Sequence, residues 1–88
     1  MSSAAIVMYA TDWCPYCERA RSLLRTKGAA FEEFDIEALP EKRDEMLTRS
    51  GRRTVPQIFI GERHIGGSDD LHALEATGQL DTLLQATR

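Results

Sequence analysis

The sequence predicts an α/β fold with the element order β-α-β-α-β-β-α-α, in a single domain that spans residues 1–88. Residues 5–10 form an almost continuous apolar run, which is typical of a strand buried on both faces. A helical pattern and a second strand pattern follow it, and this succession predicts parallel pairing through a right-handed crossover. Two later strand patterns, separated by Gly61 and Glu62, predict a hairpin.

The first half of the chain contains two predicted helices. The first runs from about Pro15 to Lys27, because a proline loses nothing in the first helical turn and Gly28 suits a left-handed cap. Residues 31–36 predict the second strand. The second helix covers Pro40 to about Ser50, with a proline again at its start.

The second half predicts strands at Ile58–Ile60 and Arg63–Ile65, with Pro56 at the entry of the first, where proline is tolerated. Ser68 is predicted to be the N-cap of a helix that begins at Asp69. A glycine breaks this helix, and a leucine cluster marks a short final one. Phe34 and Ile36 are predicted to share one face of the second strand, and Leu80, Leu83 and Leu84 mark the final helix. The residues predicted to pack inward are Ala20, Leu23, Leu24, Met46, Leu47, Leu71 and Leu74.

Cys14 and Cys17 are the only two cysteines, and they lie at the junction between the first predicted strand and the first predicted helix. The N-terminus of a helix carries a partial positive charge, which stabilises a thiolate, the nucleophilic form of cysteine. Cys17 lies on the same helical face as Ala20 and Leu24, so it is predicted to point inward. We therefore predict an exposed nucleophile, Cys14, and a packed resolving thiol, Cys17.

Two other interpretations of the cysteine pair are a structural disulfide and half of a zinc site. A zinc site needs about four ligands, whereas the chain has no second cysteine pair, and His64 and His72 lie far along it. Both histidines are predicted to be structural or exposed. A disulfide between residues three positions apart closes a very small loop, so it would add little to the stability of the folded state. A C-x-x-C near a βαβ pattern favours redox chemistry.

Composition excludes some classes of function. The net charge of −3, from 11 basic and 14 acidic residues, argues against nucleic acid as a partner. No apolar run is long enough to span a membrane, and no export signal is evident, so we expect no membrane association and a cytoplasmic location. In that reducing compartment a lone cysteine pair favours catalysis over a structural role.

Three motifs in order resemble those of the glutaredoxins, specifically the small bacterial dithiol type, and the resemblance covers nearly the whole chain. Residues 14–17 (CPYC) resemble the dithiol motif, residues 54–56 the cis-proline segment, and residues 66–70 the glutathione-binding turn. Each motif is moderately specific alone, but all three at these spacings are very specific. The resemblance implies the thioredoxin fold, a four-stranded mixed sheet flanked by helices, with Cys14 near Pro56.

The function that this resemblance implies is a glutathione-dependent thiol-disulfide oxidoreductase. It would reduce protein–glutathione mixed disulfides and protein disulfides through Cys14 and Cys17. Glutathione would act as reductant and co-substrate, with glutathione reductase acting indirectly, and no tightly bound cofactor or metal is expected. The expected partners are disulfide-bonded or glutathionylated proteins, with ribonucleotide reductase a family-level candidate, and the protein is expected to be a monomer.

The resemblance also implies a glutathione site. A cis Val55–Pro56 bond would leave the Val55 backbone free to pair with the cysteine portion of the ligand. The helix start at Ser68 offers N–H groups to a carboxylate, and Asp69 offers a carboxylate to an amine, which suits the γ-glutamyl end. The predicted glutathione-binding residues are Thr11, Tyr16, Arg52, Thr54, Val55, Pro56, Gly67, Ser68 and Asp69.

One position departs from the family pattern. Dithiol glutaredoxins often carry a lysine three residues before the first cysteine, and this chain has Thr11 there. We therefore predict that Arg52 holds the glycine carboxylate of glutathione, with Arg53 as the other basic candidate.

Two alternative functions stay open at this point. The first is a carrier of a [2Fe–2S] cluster shared by two chains through Cys14 and two glutathiones, although Pro15 argues against it, since carriers more often have Gly or Ser there. The second is a redoxin reduced by thioredoxin reductase. The glycine-rich turn at residues 66–70 favours glutathione instead.

Overall fold

The computed structural model describes residues 6–86, and the predicted element order is confirmed. The strands are β1 (Ile6–Ala10), β2 (Glu32–Asp35), β3 (Gln57–Ile60) and β4 (Arg63–Gly66), and the helices are α1 (Pro15–Thr26), α2 (Pro40–Ser50), α3 (Ser68–Ala76) and α4 (Gln79–Ala86). The predicted start of the first strand at residue 5 lies outside the described residues. None of these helices is long and apolar enough to cross a membrane.

The four strands form one mixed sheet in the order β2-β1-β3-β4. Strand β1 pairs in parallel with β2 and antiparallel with β3, and β3 pairs antiparallel with β4. The C-terminal ends of β1, β2 and β4 and the N-terminal end of β3 therefore share one edge of the sheet. As a result, all three motifs found in the sequence, at residues 14–17, 54–56 and 66–70, meet at this edge.

Side chains of β1 pack on both faces of the sheet, as its apolar run predicts. Met8 and Tyr9 are both fully buried, and they belong to different hydrophobic clusters. Burying a side chain of this size stabilises a fold by roughly 1.5–3 kcal/mol. The larger cluster contains Ile6, Met8, Ala10, Cys14, Cys17, Ala20, Leu24, Ile58, Ile60, Leu71, Leu80 and Leu84, and the smaller contains Tyr9, Ile36, Met46 and Phe59. Three residues that were predicted to pack inward, Leu23, Leu47 and Leu74, are partly buried against these clusters, as are Phe34 and Leu83.

Helix α1 is also attached to the sheet by an ion pair that the sequence analysis did not identify. Arg21 is buried, and its guanidinium donates to both carboxylate oxygens of Glu33 on β2, at 2.9 and 2.6 Å. It also donates to Glu18 at 2.6 Å. These hydrogen bonds, that to Glu33 foremost, raise the pKa of Arg21 above its ordinary value. Bidentate pairs of this kind fix geometry as well as charge.

The predicted N-cap of α3 is wrong by one residue. Gly67 is the N-cap, with extended backbone angles, and Ser68 is already helical. Leu71 donates its backbone N–H to the Gly67 carbonyl at 3.0 Å, which closes the first helical turn. The Asp70 carboxylate accepts from the Gly67 N–H at 2.9 Å. This bond is one half of a capping box, and Gly67 has no side chain that could form the other half.

Candidate active site

Cys14 lies at the N-cap of α1, between the helix and the segment that precedes β3. Its sulfur accepts a hydrogen bond from the Cys17 backbone N–H at 3.3 Å, and its thiol lies 3.9 Å from the Val55 carbonyl oxygen. Only 8% of Cys14 is exposed, so the prediction of an exposed nucleophile is wrong. Cys14 is covered by the segment that contains Val55. This contact could not be read from local sequence, because Val55 is 41 positions away in the chain.

Cys17 is fully buried, which confirms the predicted packed thiol. Burial raises the pKa of the Cys17 thiol to about 12, although the Thr11 backbone N–H and the Arg21 charge act in the opposite direction. Both cysteines are free thiols here. At neutral pH Cys17 is therefore protonated and does not compete with Cys14 as a nucleophile.

The segment that faces Cys14 is held by a buried glutamine. The Val55–Pro56 peptide bond is cis, as the resemblance implied. The Gln57 side-chain amide donates to the Thr54 backbone carbonyl at 3.0 Å and lies 3.1 Å from its hydroxyl. Because that carbonyl can only accept, the Gln57 oxygen must point the other way, towards His64 Nε2 at 2.7 Å, which therefore donates. His64 is thus structural, as predicted.

A groove of about 320 Å³ opens beside Cys14, within the usual size range of small-molecule sites. It is lined by Tyr16, Arg52, Thr54, Val55, Pro56, Gly67, Ser68, Asp69 and Asp70. The structure thus brings together every predicted glutathione-binding residue except Thr11. That residue is only 4% exposed and does not line the groove.

Charges of both signs line the groove. Helix α3 directs its N-terminal N–H groups and the positive end of its dipole towards the groove, an arrangement that suits a carboxylate. Arg52 adds a half-exposed guanidinium, 3.5 Å from the Asp70 carboxylate. The hydroxyl of Ser68 is buried and has no hydrogen-bond partner within residues 6–86. These features suit a small ligand that carries carboxylates and an amine.

Asp70 belongs to the predicted glutathione-binding turn at residues 66–70, but it is the one groove residue that was not among the predicted binding residues. It bonds to the N-cap, lines the groove and pairs with Arg52. The signal was present in the spacing, since Asp70 stands three residues after Gly67, as in a capping box. It was overlooked because Ser68 is by residue type a better N-cap than glycine.

A second groove, of about 460 Å³, is larger but lies away from this chemistry. It is lined by Glu18, Arg19, Ser22, Leu23, Thr26 and His72. Neither cysteine borders it. Within residues 6–86, no three side chains of His, Cys, Asp or Glu are grouped so that they could hold a metal ion.

Replacing Gly66 by alanine is expected to destabilise the fold and to weaken ligand binding in the groove. Gly66 has a φ of +117°, and an added Cβ would lie 2.8 Å from Asp70 Cγ. Displacing Asp70 would break its bond to the N-cap, and an N-cap interaction is worth about 1 kcal/mol. Together with the strained backbone, we expect a loss of about 2–3 kcal/mol in a urea unfolding curve, and a severalfold rise in KM for a glutathione mixed disulfide.

Gly61→Ala is the matched control for that substitution. Gly61 also has a positive φ, of +63°, but among residues 6–86, its two chain neighbours aside, no heavy atom lies within 4 Å of its added Cβ. This variant is expected to lose only about 1 kcal/mol, from the backbone conformation alone, and to keep its KM. Equal losses in the two variants would contradict the role assigned to Asp70.

The chain is similar in sequence to known proteins over most of its length. A model of the family named Glutaredoxin matches residues 6–65. A glutaredoxin of Pseudomonas aeruginosa is 56% identical over 81 residues, which cover 92% of this chain and 96% of that protein. Glutaredoxin 3 of Escherichia coli K12 is 55% identical over 82 residues, covering 93% of this chain and 99% of that protein.

Solved structures that are similar to this one belong to the same family as these sequence relatives. The solution structure of a glutaredoxin from Brucella melitensis is 53% identical, with a TM-score of 0.83, and the match covers 100% of this chain and 96% of that one. A buckwheat glutaredoxin–glutathione complex is 30% identical, with a TM-score of 0.88 and coverage of 97% and 80%. The sheet and its helices form the thioredoxin fold. The chain therefore belongs to the glutaredoxin family of glutathione-dependent thiol oxidoreductases.

Proposed function

We propose that this protein catalyses glutathione–disulfide exchange with Cys14 as nucleophile, and that its substrates are protein–glutathione mixed disulfides and protein disulfides. The observation that carries the proposal is the groove beside Cys14. It combines the backbone of Val55, the N-terminus of α3 and the Arg52 cation within one cavity. The buckwheat relative, whose structure is a glutathione complex, supports the same ligand. We propose that the protein acts in the cytoplasm.

The first reaction needs only Cys14. Its thiolate attacks the glutathione sulfur of a mixed disulfide, so that a new disulfide forms between Cys14 and glutathione while the protein sulfur leaves as a thiolate and takes up a proton from water. The Cys17 backbone N–H, 3.3 Å from the Cys14 sulfur, stabilises the attacking thiolate. A second glutathione thiolate then attacks the bound glutathione sulfur. This releases oxidised glutathione and regenerates Cys14.

The second reaction needs both cysteines. Cys14 attacks a protein disulfide and forms a mixed disulfide with the substrate, which releases the other substrate sulfur as a thiolate. Cys17 then gives up its proton and attacks the Cys14 sulfur, so that the second substrate thiol leaves and Cys14 and Cys17 become disulfide-bonded. Two glutathiones then reduce this bond to the two thiols and are themselves oxidised to glutathione disulfide. Burial keeps Cys17 protonated at neutral pH, and the neighbouring Cys14 raises the pKa of Cys17 further, so Cys17 becomes a nucleophile only after Cys14 has entered a disulfide.

The proposal is tested by turnover of a glutathionylated small thiol, coupled to NADPH oxidation. We expect turnover with glutathione and glutathione reductase, and only background rates with thioredoxin reductase in place of both. The reverse pattern would overturn the proposal and identify a redoxin of the thioredoxin type.

Arg52→Ala is expected to raise the KM for the glutathionylated substrate about two- to fivefold, with little change in kcat. The side chain is about half exposed, so its ionic contribution is partly screened, and an exposed ion pair is worth up to about 1 kcal/mol. The KM of the wild type should rise with salt concentration, and that of the variant should rise less. Initial rates at two ionic strengths measure both effects.

Arg53→Ala is the control for that prediction. Arg53 is also exposed and basic, but it does not line the groove, so its removal should leave KM within about twofold of the wild type. An unchanged KM in Arg52→Ala would remove Arg52 from the binding site. A rise in the Arg53 variant alone would assign the role to Arg53.

A further inference from the structure

Three large apolar side chains are exposed within residues 6–86: Trp13 at 70%, Tyr16 at 56% and Leu39 at 37%. Tyr16 lines the groove beside Cys14, but Trp13 and Leu39 do not. Both of these lie at the sheet edge that carries Cys14, because Trp13 follows β1 and Leu39 follows β2, and these strands are parallel. Exposed apolar side chains grouped beside a reactive residue are typical of a surface that contacts a partner.

Trp13 is held in place although it is exposed. Its indole N–H donates to the Glu37 carboxylate at 3.0 Å. The loop that carries Glu37 is itself ordered, because Asp35 accepts from the backbone N–H groups of Glu37, Ala38 and Leu39, at 2.9, 3.3 and 3.0 Å. A side chain that is already fixed loses little conformational entropy when a partner packs against it. We refer to Trp13, Glu37 and Leu39 as the tryptophan surface.

The sheet order separates the tryptophan surface from the glutathione groove. Cys14 follows β1, which lies between β2 and β3. The groove is built from the segments before β3 and after β4, on one side of Cys14, whereas Trp13 reaches to the loop after β2, on the other side. When the glutathione part of a mixed disulfide occupies the groove, the β2 side of Cys14 stays open to the protein part of the same substrate.

The tryptophan surface is acidic. Residues 11–14 and 35–41 contain Asp12, Asp35, Glu37 and Glu41 and no lysine or arginine. Of the two cations that follow in α2, Lys42 is engaged elsewhere, 3.2 Å from the Glu45 carboxylate and 4.0 Å from the centre of the Phe34 ring. Arg43 is exposed one turn after Leu39, so acidic residues outnumber it around the surface. A partner with basic side chains next to apolar ones would complement this surface in both shape and charge.

We propose that the tryptophan surface docks the segment of a protein substrate that flanks its glutathionylated cysteine, and that it selects segments with an apolar side chain and a lysine or arginine near that cysteine. The inference rests on the proposed exchange reaction and specifies its protein substrates. The apolar side chain packs on Trp13 and Leu39, and the cation lies near Asp12 and Glu37. The protein thiolate then leaves on this side of Cys14, while glutathione stays in the groove.

Two glutathionylated peptides test the proposal, together with glutathionylated 2-mercaptoethanol as a substrate too small to reach the surface. The peptides are identical except that leucine and lysine flank the cysteine in one, and leucine and glutamate in the other. For the wild type at low ionic strength we expect kcat/KM to be about tenfold higher for the basic peptide, and the ratio to approach one in high salt. Equal values for the two peptides at low salt would overturn the proposal.

Three variants separate the apolar from the charged contribution. Trp13→Ala should lower kcat/KM for the basic peptide about tenfold relative to the small substrate. Trp13→Phe, which keeps an apolar ring but cannot bond to Glu37, should fall between Trp13→Ala and the wild type. The double variant Asp12→Asn and Glu37→Gln keeps an oxygen acceptor for the Trp13 indole, and it should remove the preference for the basic peptide.

The outcomes distinguish this inference from the proposed function. If Trp13→Ala lowers the rates on the small substrate and the peptides by the same factor, Trp13 supports the active site in general and the docking role is overturned. If the small substrate is turned over by every variant without any peptide preference, the exchange reaction stands and the docking inference fails. If the wild type does not turn over the small substrate, the exchange reaction itself fails.

Discussion

Cys14→Ser is expected to reduce turnover of every mixed disulfide by at least about a thousandfold, to the level of the uncatalysed exchange. A serine hydroxyl stays protonated at neutral pH and is a far weaker nucleophile than a thiolate, so the nucleophile is lost while the groove remains. A thousandfold loss corresponds to about 4 kcal/mol of transition-state stabilisation. The coupled assay with glutathione reductase measures it directly.

Binding and folding serve as controls for that variant. Since only the sulfur is replaced, the free energy of unfolding of Cys14→Ser, measured in urea, should stay within about 1 kcal/mol of the wild type. Oxidised glutathione should still bind in the groove of the variant and raise its melting temperature. Turnover above a few per cent of the wild type would place the nucleophile elsewhere, and Cys17, the other cysteine of the chain, would have to be reassigned.

Cys17→Ser is expected to separate the two reactions. Deglutathionylation of a small substrate should stay within about threefold of the wild type, because that route uses only Cys14. Reduction of a protein disulfide should fall at least about a hundredfold, because the mixed disulfide with Cys14 cannot be resolved within the protein. The trapped adduct, enzyme joined to substrate through Cys14, should be visible by mass spectrometry under non-reducing conditions.

Cys17→Ala is the matched variant, because a serine hydroxyl at a fully buried position carries a desolvation cost that alanine avoids. Both variants should give the same separation of activities.

In the wild type at pH 7, iodoacetamide should alkylate Cys14 well before Cys17, since burial raises the pKa of the Cys17 thiol to about 12. Loss of both reactions in Cys17→Ala, or faster alkylation of Cys17, would contradict the assigned roles.

Local pattern was sufficient to locate the elements and the chemistry. The spacing of apolar residues and the glycine and proline positions predicted the order of strands and helices, including helix α2 at Pro40–Ser50. These signals act within a few residues, because they follow from backbone conformation and side-chain period. The two cysteines at a strand–helix junction indicated a redox site for the same reason.

The composition of the groove was predictable for a different reason. Tyr16, Thr54–Pro56 and Gly67–Asp69 stand in motifs whose order matches a known family, and the sheet brings those motifs to one edge. Thr11 was included because it stands where the family often carries a lysine, three residues before the first cysteine. It does not line the groove, because its side chain is buried, and the position of a residue in a motif does not report side-chain direction in a loop.

Only the tertiary structure decided how each site residue is surrounded. The burial of Cys14 depends on Val55, 41 residues away, and the burial of Arg21 depends on Glu33 across the helix–sheet interface. The separation of the tryptophan surface from the groove depends on which strands flank β1. Sequence by itself determined what the elements are and which side chains carry the chemistry. Their exposure and neighbours depend on long-range strand pairing and helix packing, which are collective properties of the folded chain and leave no periodic signal in any one segment.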